Sequence, residues 1–253
     1  MPVKAIPTIP QDATSAAPIS APTRPPLANE ITVDALYCMT AQNERAVIRG
    51  VDWADYERLL EVVGERSAIR LAYDGKDLEI ISPGPLRDDV KGRAGKFVEI
   101  VSEELDVAWR NLGSTTWKRS AIERGIEADQ SYYFQPDKLA LAALAVKRKS
   151  NNVADYPNPD LAIEVDISPY EVDRPGIYAA LRVTEVWRFD AHGITIERLN
   201  DDGTFAAVET SGFLPVRADE VARWVLEEDT SDIRDWMRRL RAWIRAEVVG
   251  RLR

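Results

Sequence analysis

Residues 161 to 167, LAIEVDI, are the feature of this 253-residue chain that most constrains its fold. The stretch has the length of a strand and is almost continuously apolar. A strand that is apolar on both faces is typical of a sheet interior. We therefore predict a buried strand here, within a sheet that helices cover.

Other patterns along the chain predict the elements around this strand. Residues 74 to 76, Asp-Gly-Lys, lie between two short apolar runs, which is a strong hairpin signal. In chain order, the patterns predict a helix at 52–64 that Asp52 caps, strands at 70–73 and 77–81, a helix at 86–105, a strand at 126–134, an exposed insertion at 139–152 that begins as a helix, the strand at 161–167, a helix at 171–181 with Pro175 in its first turn, strands at 185–190, 194–199 and 204–208, and a helical region at 218–249. Packing these elements together predicts an α/β fold (an α+β mixed sheet) with flanking helices.

Composition and the predicted elements divide the chain into three parts. Residues 1–29 are rich in Pro, Ala, Ser and Thr and lack apolar periodicity, so we expect a disordered arm. Residues 30–227 are expected to form one domain, and residues 228–253 a C-terminal helical extension. The apolar residues of the last helix either dock on the domain or pair with another subunit. Since no signal peptide or membrane-length apolar run is evident, we expect a cytoplasmic protein that does not enter a membrane.

The scarcity of histidine and cysteine excludes several kinds of site. His192 and Cys38 are the single residues of their types, and His192 lies in a predicted turn. A structural zinc site needs about four Cys or His ligands, so zinc fingers are excluded. Chemistry must therefore rest on Asp, Glu, Lys and Arg, and carboxylate oxygens favour Mg²⁺ or Mn²⁺. The net charge of -9 argues against nonspecific coating of nucleic acid but not against a nuclease with a local basic groove.

Three acidic residues lie within predicted elements or at their boundaries. Asp88 begins the helix at 86–105, Asp129 lies in the strand at 126–134, and Glu164 interrupts the apolar run at 161–167. Burying an unpaired charge costs several kcal/mol unless it is paired or binds a cation, so Glu164 needs a partner. Two strand carboxylates could coordinate Mg²⁺, which lowers the pKa of a bound water and stabilises charge on a phosphate.

Three segments of the chain extend around these acids: ISPGPLRDDVKGRAGKFVEIVSEEL, RGIEADQSYYF and PDLAIEVDISPYEVDRPGIYAALRVTEVWRFD. In this order they resemble the signature blocks of the Uma-two family of bacterial restriction-type endonucleases, within the PD-(D/E)xK superfamily. The resemblance spans roughly residues 52 to 224. It implies a restriction-endonuclease-like core in which a helix acid, the PD aspartate and the glutamate of an ExK-type motif face one or two metal ions. Asp88, Asp129 and Glu164 match these three positions.

The chain departs from the family pattern at several positions. Ala128 replaces the proline of the PD motif, and Arg87-Asp88 stands where the family often has a His-Glu pair. Asp166 occupies the usual position of a lysine that assists the attacking water. Arg174 matches a place where relatives carry Lys or Arg and could supply positive charge, but arginine stays protonated and is a poor general base.

The resemblance predicts an endonuclease, a hydrolase that cleaves DNA phosphodiester bonds with Mg²⁺ or Mn²⁺. Asp88, Asp129, Glu164 and Arg174 are its expected catalytic residues, and the three carboxylates its expected metal ligands. The alternative is a nuclease-fold module that has lost turnover and serves in binding or assembly, which Asp166 and the acidic surface favour. A repair or mobile-element accessory nuclease would differ from the first only in substrate. The expected partner is DNA, and a homodimer would suit double-strand cleavage.

Structural roles remain open for the same residues. Asp129 and Glu164 could form ion pairs with Arg119, Arg124 or Arg182, and Asp88 could favour the helix dipole. Asp166 is a further metal ligand or a solvated residue at a strand end. Lys118 and Arg119 contact phosphate or lie on a solvated face. Trp187 and Tyr178 are most simply core aromatics.

Overall fold

The computed structural model describes residues 31–40, 45–64, 69–166, 169–190, 192–228 and 231–252. The predicted disordered arm therefore lies outside the described residues. The helices in these ranges are α1 (Val33–Thr40), α2 (Trp53–Val63), α3 (Pro85–Glu104), α4 (Pro136–Lys147), α5 (Arg174–Ala180), α6 (Ala218–Val225) and α7 (Ile233–Trp243). A π-helical turn (Ile244–Val248) and a 3₁₀ turn (Val249–Leu252) extend α7.

The strands of the described ranges form two sheets. They are β1 (Arg45–Ile48), β2 (Arg70–Tyr73), β3 (Leu78–Ile81), β4 (Arg110–Asn111), β5 (Thr116–Arg119), β6 (Arg124–Glu127), β7 (Gln130–Tyr133), β8 (Leu161–Val165), β9 (Glu185–Asp190), β10 (Gly193–Leu199) and β11 (Phe205–Val208). One sheet has the order β1-β3-β2-β6-β5 and is antiparallel, and the other has the order β11-β10-β9-β8-β7-β4. Only β8 and β9 pair in parallel in the second sheet. The predicted mixed α/β class is confirmed.

The local signals of the sequence correspond to the observed elements. Asp52 caps α2, since its carboxylate accepts a hydrogen bond from the N–H of Asp55 at 2.8 Å, and Gly64 ends the helix with a φ of 62°. β2 and β3 form the predicted hairpin. In α3, Gly95 allows close approach to β7, because an added Cβ would lie 3.0 Å from Nε2 of Gln130.

Two predicted boundaries were wrong. Residues 126–134 do not form one strand: β6 belongs to the first sheet and β7 to the second, and the chain passes between them at Ala128 and Asp129. The helix predicted at 171–181 begins at Arg174, because the side chain of Asp173 caps it by accepting from the N–H of Gly176. For the strand at 161–167, the structure describes β8 to Val165, and residue 167 lies outside the described ranges.

β8 separates two parts of the hydrophobic core. Leu161, Ile163 and Val165 pack on the side of α3, α6 and α7, whereas Ala162 packs on the side of α5. Strand side chains alternate between faces, so Glu164 projects to the α5 side with Ala162. A third apolar cluster lies between α2 and the β2–β3 hairpin.

The last helix docks on its own domain. Trp236, Leu240, Trp243 and Ile244 are buried in the same cluster as Phe97 of α3. Of the two possibilities for these residues, docking on the domain is therefore the one observed, and a homodimer remains a prediction. In the described ranges, the structure contains no helix with the length and apolarity needed to traverse a lipid bilayer.

Candidate functional site: a buried arginine–carboxylate centre

A group of buried charges lies where the two sheets meet. We call it the arginine–carboxylate centre, and its members are each 9% exposed or less: Arg45, Arg70, Arg87, Arg174, Arg188, Glu79, Asp129, Glu164 and Asp166. They come from β1, β2, β3, α3, α5, β8, β9, the end of β8 and the junction between β6 and β7. Burying so many charges is tolerable only because each carboxylate has cationic partners.

Asp129 is anchored at the passage between the two sheets. Its N–H donates to the carbonyl of Ile163 at 3.1 Å, and its Oδ2 accepts the N–H of Val165 at 2.8 Å. Arg87 donates from Nη2 to Oδ2 at 2.8 Å, and Arg70 donates from Nη1 to Oδ1. Burial alone would raise the pKa of Asp129, but the two guanidiniums and the hydrogen bonds outweigh it and lower the pKa below its ordinary value.

Glu164 is completely buried on β8 and faces α5. Its Oε2 accepts from Nη1 of Arg174 at 3.0 Å and lies 3.7 Å from Nη2 of Arg87, while its Oε1 accepts from the hydroxyl of Tyr178. Burial raises the pKa of Glu164 to about 7; the nearby Arg174 opposes this rise and the Asp129 carboxylate adds to it. Tyr178 is thus a core aromatic that also holds this carboxylate.

The structure brings Asp129 and Glu164 together on one nitrogen atom. Nη2 of Arg87 lies 2.8 Å from Oδ2 of Asp129 and 3.7 Å from Oε2 of Glu164, so these two oxygens are at most 6.5 Å apart. The two carboxylates do converge, and the point of convergence holds a guanidinium group.

Arg174 contacts three carboxylates at once. It is 1% exposed in the first turn of α5 and donates from Nε to Oε2 of Glu79 at 2.8 Å. Its Nη1 donates to Glu164 at 3.0 Å and to Asp166 at 2.8 Å. The expected positive charge beside Glu164 is present. Because arginine remains protonated, it can stabilise an anion but cannot accept a proton from water.

Asp166, at the usual position of the lysine, belongs to the same network. It is 4% exposed, and Arg174, Arg188 and Arg45 donate to it at 2.8, 3.2 and 3.4 Å. The alternative of a solvated strand end is therefore wrong. Three guanidiniums occupy its oxygens instead.

Asp88 does not join the centre. It is exposed, whereas the preceding residue, Arg87, is 3% exposed and points at Asp129. The reason is helix geometry: successive residues differ by about 100° around α3, and Arg87 shares its face with the buried Val90 and Ala94. The helix thus presents an arginine to the centre where an acid was expected.

Lys118 and Arg119 lie away from the centre on β5. Nζ of Lys118 lies 3.0 Å from Oε1 of Glu57, and Arg119 donates to the carbonyls of Val153 and Tyr156 at 3.3 and 2.8 Å. The structure gives both residues local partners, and their predicted contact with phosphate remains a prediction.

Glu127 connects the centre to a cavity. It lies 3.6 Å from Nε of Arg70 and also lines a cavity of about 730 Å³, together with Lys118 and Thr116. Burial raises its pKa, and Arg70 and Lys91 oppose the rise. Lys91 of α3 is half-buried one turn after Arg87, and its pKa is lowered by burial and by Arg70. Glu127 and Lys91 thus border the centre on its more exposed side.

Several members of the centre were not predicted from the sequence. The predicted alternative partners of the acids were Arg119, Arg124 and Arg182, and the observed partners are others. Glu79 lies in the apolar strand sequence LEII of β3, and the rule that singled out Glu164 applies equally to it. The arginines that contact Asp129 carried no comparable local signal.

The residues present do not fit a divalent ion in this arrangement. Mg²⁺ requires about six oxygens at ~2.1 Å, whereas the oxygens of Asp129 and Glu164 are engaged by Arg70, Arg87, Arg174 and Tyr178. Across the described part of the chain, no group of three or more His, Cys, Asp or Glu residues could hold a metal ion. The predicted Mg²⁺ or Mn²⁺ cofactor stays a prediction.

Comparison with known proteins places the chain in a family. A crystal structure described as "a putative nuclease belonging to DUF820 from Anabaena variabilis ATCC 29413" aligns with a TM-score of 0.45 and 12% identity, covering 69% of this chain and 99% of that one. No curated protein matches the chain. The model of the Uma2 family, described as "Putative restriction endonuclease", matches residues 53–226. Since that match covers more than half of the sequence, the predicted resemblance is confirmed, and the chain belongs to the Uma2 family.

Proposed function

We propose that this protein is a DNA-binding module of the nuclease fold, whose central carboxylates are neutralised by arginines instead of a divalent ion. Membership of a family described as a restriction endonuclease supports DNA as the partner. The observation that carries the proposal is the position of Arg87, whose Nη2 contacts both Asp129 and Glu164. This is the alternative that Asp166 already favoured in the sequence.

Electrostatics supports binding without metal-dependent turnover. A divalent ion between Asp129 and Glu164 would lie beside the guanidiniums of Arg70, Arg87 and Arg174. A divalent ion and a guanidinium 4 Å apart repel by about 8 kcal/mol at an effective dielectric constant of 20. A millimolar dissociation constant corresponds to about 4 kcal/mol of binding, so repulsion of this size removes an affinity of that order. The arginines therefore replace an ion instead of assisting it.

A second candidate is the Mg²⁺- or Mn²⁺-dependent endodeoxyribonuclease. It is favoured by the convergence of two carboxylates, one from the junction between β6 and β7 and one from β8, with oxygens at most 6.5 Å apart. In this case Asp129 and Glu164 would hold the ion after Arg87 withdrew, and Arg174 would stabilise negative charge. Asp88 could contribute only after a rotation of its helix turn.

Plasmid nicking and DNA binding together discriminate between the candidates. We expect the wild type to shift duplex DNA in EDTA, with an affinity that falls as salt rises. With Mg²⁺ or Mn²⁺, its nicking of supercoiled plasmid should not exceed that of Glu164→Ala. Calorimetric titration with Mn²⁺ should give the same result for the wild type and Asp129→Ala, because the wild type is expected to bind no Mn²⁺ at Asp129. Metal-dependent nicking that both substitutions abolish would establish the endonuclease and overturn the binding module. A wild type that does not bind DNA would also overturn the binding module.

A further inference from the structure

Helix α4 carries an apolar outer side. Its inner side is buried at Ala142 and Ala145. Residues 139–146 read LALAALAV, without a polar or charged side chain, and Leu141 and Leu144 are 51% and 42% exposed. A surface helix usually places charged side chains on its outer side, and a helix that is apolar all round is usually buried. Within the described part of the chain, nothing covers these two leucines.

The two leucines belong to a stripe with opposite charges at its ends. Asp137, Leu141, Leu144 and Arg148 are spaced by four, three and four residues, which places them within about 60° of one another around the helix axis. Asp137 lies in the first turn of α4 and Arg148 at its C-cap, and both are exposed. Among the described residues, neither side chain has an ion-pair partner. Both charges are therefore available to another molecule.

An antiparallel pair of α4 helices would satisfy the whole stripe. Around a two-fold axis at the middle of the helix, Leu141 of each copy would face Leu144 of the other, and Asp137 would face Arg148. In a parallel pair, each of these charges would instead face its own counterpart, and like charges repel. The pattern of charges thus fits a second copy of this chain in antiparallel orientation.

We propose that the outer side of α4 is a homodimer interface, in which two copies of the chain pack α4 against α4 in antiparallel orientation. This interface is independent of the proposed function, because α4 contributes no residue to the arginine–carboxylate centre. It gives the predicted homodimer a surface other than the last helix, which docks on its own domain. The 12 residues of α4 span about 18 Å, so the interface is small and the dimer is expected to dissociate at micromolar concentration.

An exchange of charges tests the interface and its orientation. Asp137→Arg alone places like charges at both ends of the contact, and so does Arg148→Asp alone. We expect sedimentation velocity to show a concentration-dependent dimer for the wild type, and a dissociation constant raised by about tenfold or more for each variant. An equal mixture of the two variants should restore the dimer, because each chain then meets opposite charges on the other.

Removing the apolar contact is a second test. Leu141→Gln combined with Leu144→Gln should leave a monomer at concentrations where the wild type dimerises. Val146→Gln is the matched control, since Val146 is 46% exposed on the same helix but lies about 140–160° away from the two leucines. It should dimerise like the wild type.

Three results would overturn the proposal. They are a wild type that stays monomeric up to hundreds of micromolar, a dimer that the two leucine substitutions leave unchanged, and weakened charge variants whose mixture does not recover. Should one set of variants fail to fold, the other set decides.

Discussion

The two ends of β8 hold buried carboxylates in different ways. At the start, Asp160 is completely buried and accepts from the backbone N–H groups of Phe134 and Gln135, both at 2.8 Å, with Lys138 at 2.7 Å. At the other end, Glu164 faces arginines and lies in a group of four carboxylates. Asp160 is thus a single carboxylate held by donors close to it, which include the backbone of the segment that leads into α4.

The difference separates a carboxylate with a structural role, Asp160, from the carboxylates of the arginine–carboxylate centre. Asp160 accepts hydrogen bonds from the short segment that connects β7 to α4, and this role needs no second acid. The arginine–carboxylate centre instead gathers like charges from many elements, which folding alone does not require, and balances them with five guanidiniums. Such a collection is typical of a functional site.

Removing the acid at the junction of the sheets should have the largest effect. Asp129→Ala leaves Arg70 and Arg87 buried without their common counter-charge. We expect the free energy of unfolding, measured with urea, to fall by about 3–5 kcal/mol. Asp129→Asn keeps the hydrogen-bond acceptor of the side chain and is the control, with a smaller loss. A loss below about 1 kcal/mol for Asp129→Ala would contradict the role of these ion pairs.

Removing the structural carboxylate should cost less and act locally. Asp160→Ala leaves the N–H groups of Phe134 and Gln135 without their acceptor, which costs about 1–3 kcal/mol. Hydrogen exchange should accelerate at these two amides and remain unchanged at Val165. Equal acceleration at both ends of β8 would remove the distinction between the two carboxylates.

The raised pKa of Glu164 predicts a pH dependence with a definite sign. Between an ordinary value of 4.5 and about 7, the folded protein keeps a proton that the unfolded chain has lost. The contribution of protonated Glu164 to stability is therefore complete below pH 4.5 and is lost as the pH rises through 7. Relative to the wild type, Glu164→Gln should gain up to about 1.4 kcal/mol per pH unit in this window.

Urea denaturation from pH 5 to 8 measures this change, and Asp129→Asn is its control. The pKa of Asp129 is lowered, so its contribution is present above its ordinary pKa and is lost in more acidic solution. A constant difference between Glu164→Gln and the wild type over the whole range would exclude the raised pKa.

An exposed ion pair on α7 should show the smallest effect. Arg238 pairs with Asp235, but its side chain is 80% exposed. Arg238→Ala should change the free energy of unfolding by less than about 1 kcal/mol, and this change should shrink in 1 M salt. A change as large as that of Asp129→Ala would mean that burial does not distinguish the two ion pairs.

Local signals sufficed for much of the fold. The cap at Asp52, the turn at residues 74–76 and the apolar stripe of α3 each act over a few residues, so the sequence predicts them well. The break between β6 and β7 could not be predicted, because an alternating run does not reveal that its halves pair with different sheets. That information lies in partners far away in the chain.

In the candidate site, too, some residues could be predicted from the sequence and others are brought there only by the tertiary structure. Asp129, Glu164 and Arg174 were identified from the sequence, and the structure brings all three into the centre. Arg70 and Arg87 lie 59 and 42 residues from Asp129, and only the completed topology brings them to it. Asp88 was misplaced by a single position, which on a helix turns a side chain through about 100°.

Asp129 lies where the polypeptide leaves one sheet and enters the other. One of its contacts comes from Arg70 of the first sheet, and two come from the β8 backbone of the second, at Ile163 and Val165. Separating the two sheets would therefore break the ion pair with Arg70 and the hydrogen bonds to β8 at the same residue. Asp129 thus couples the packing of the two sheets to the charge balance of the centre.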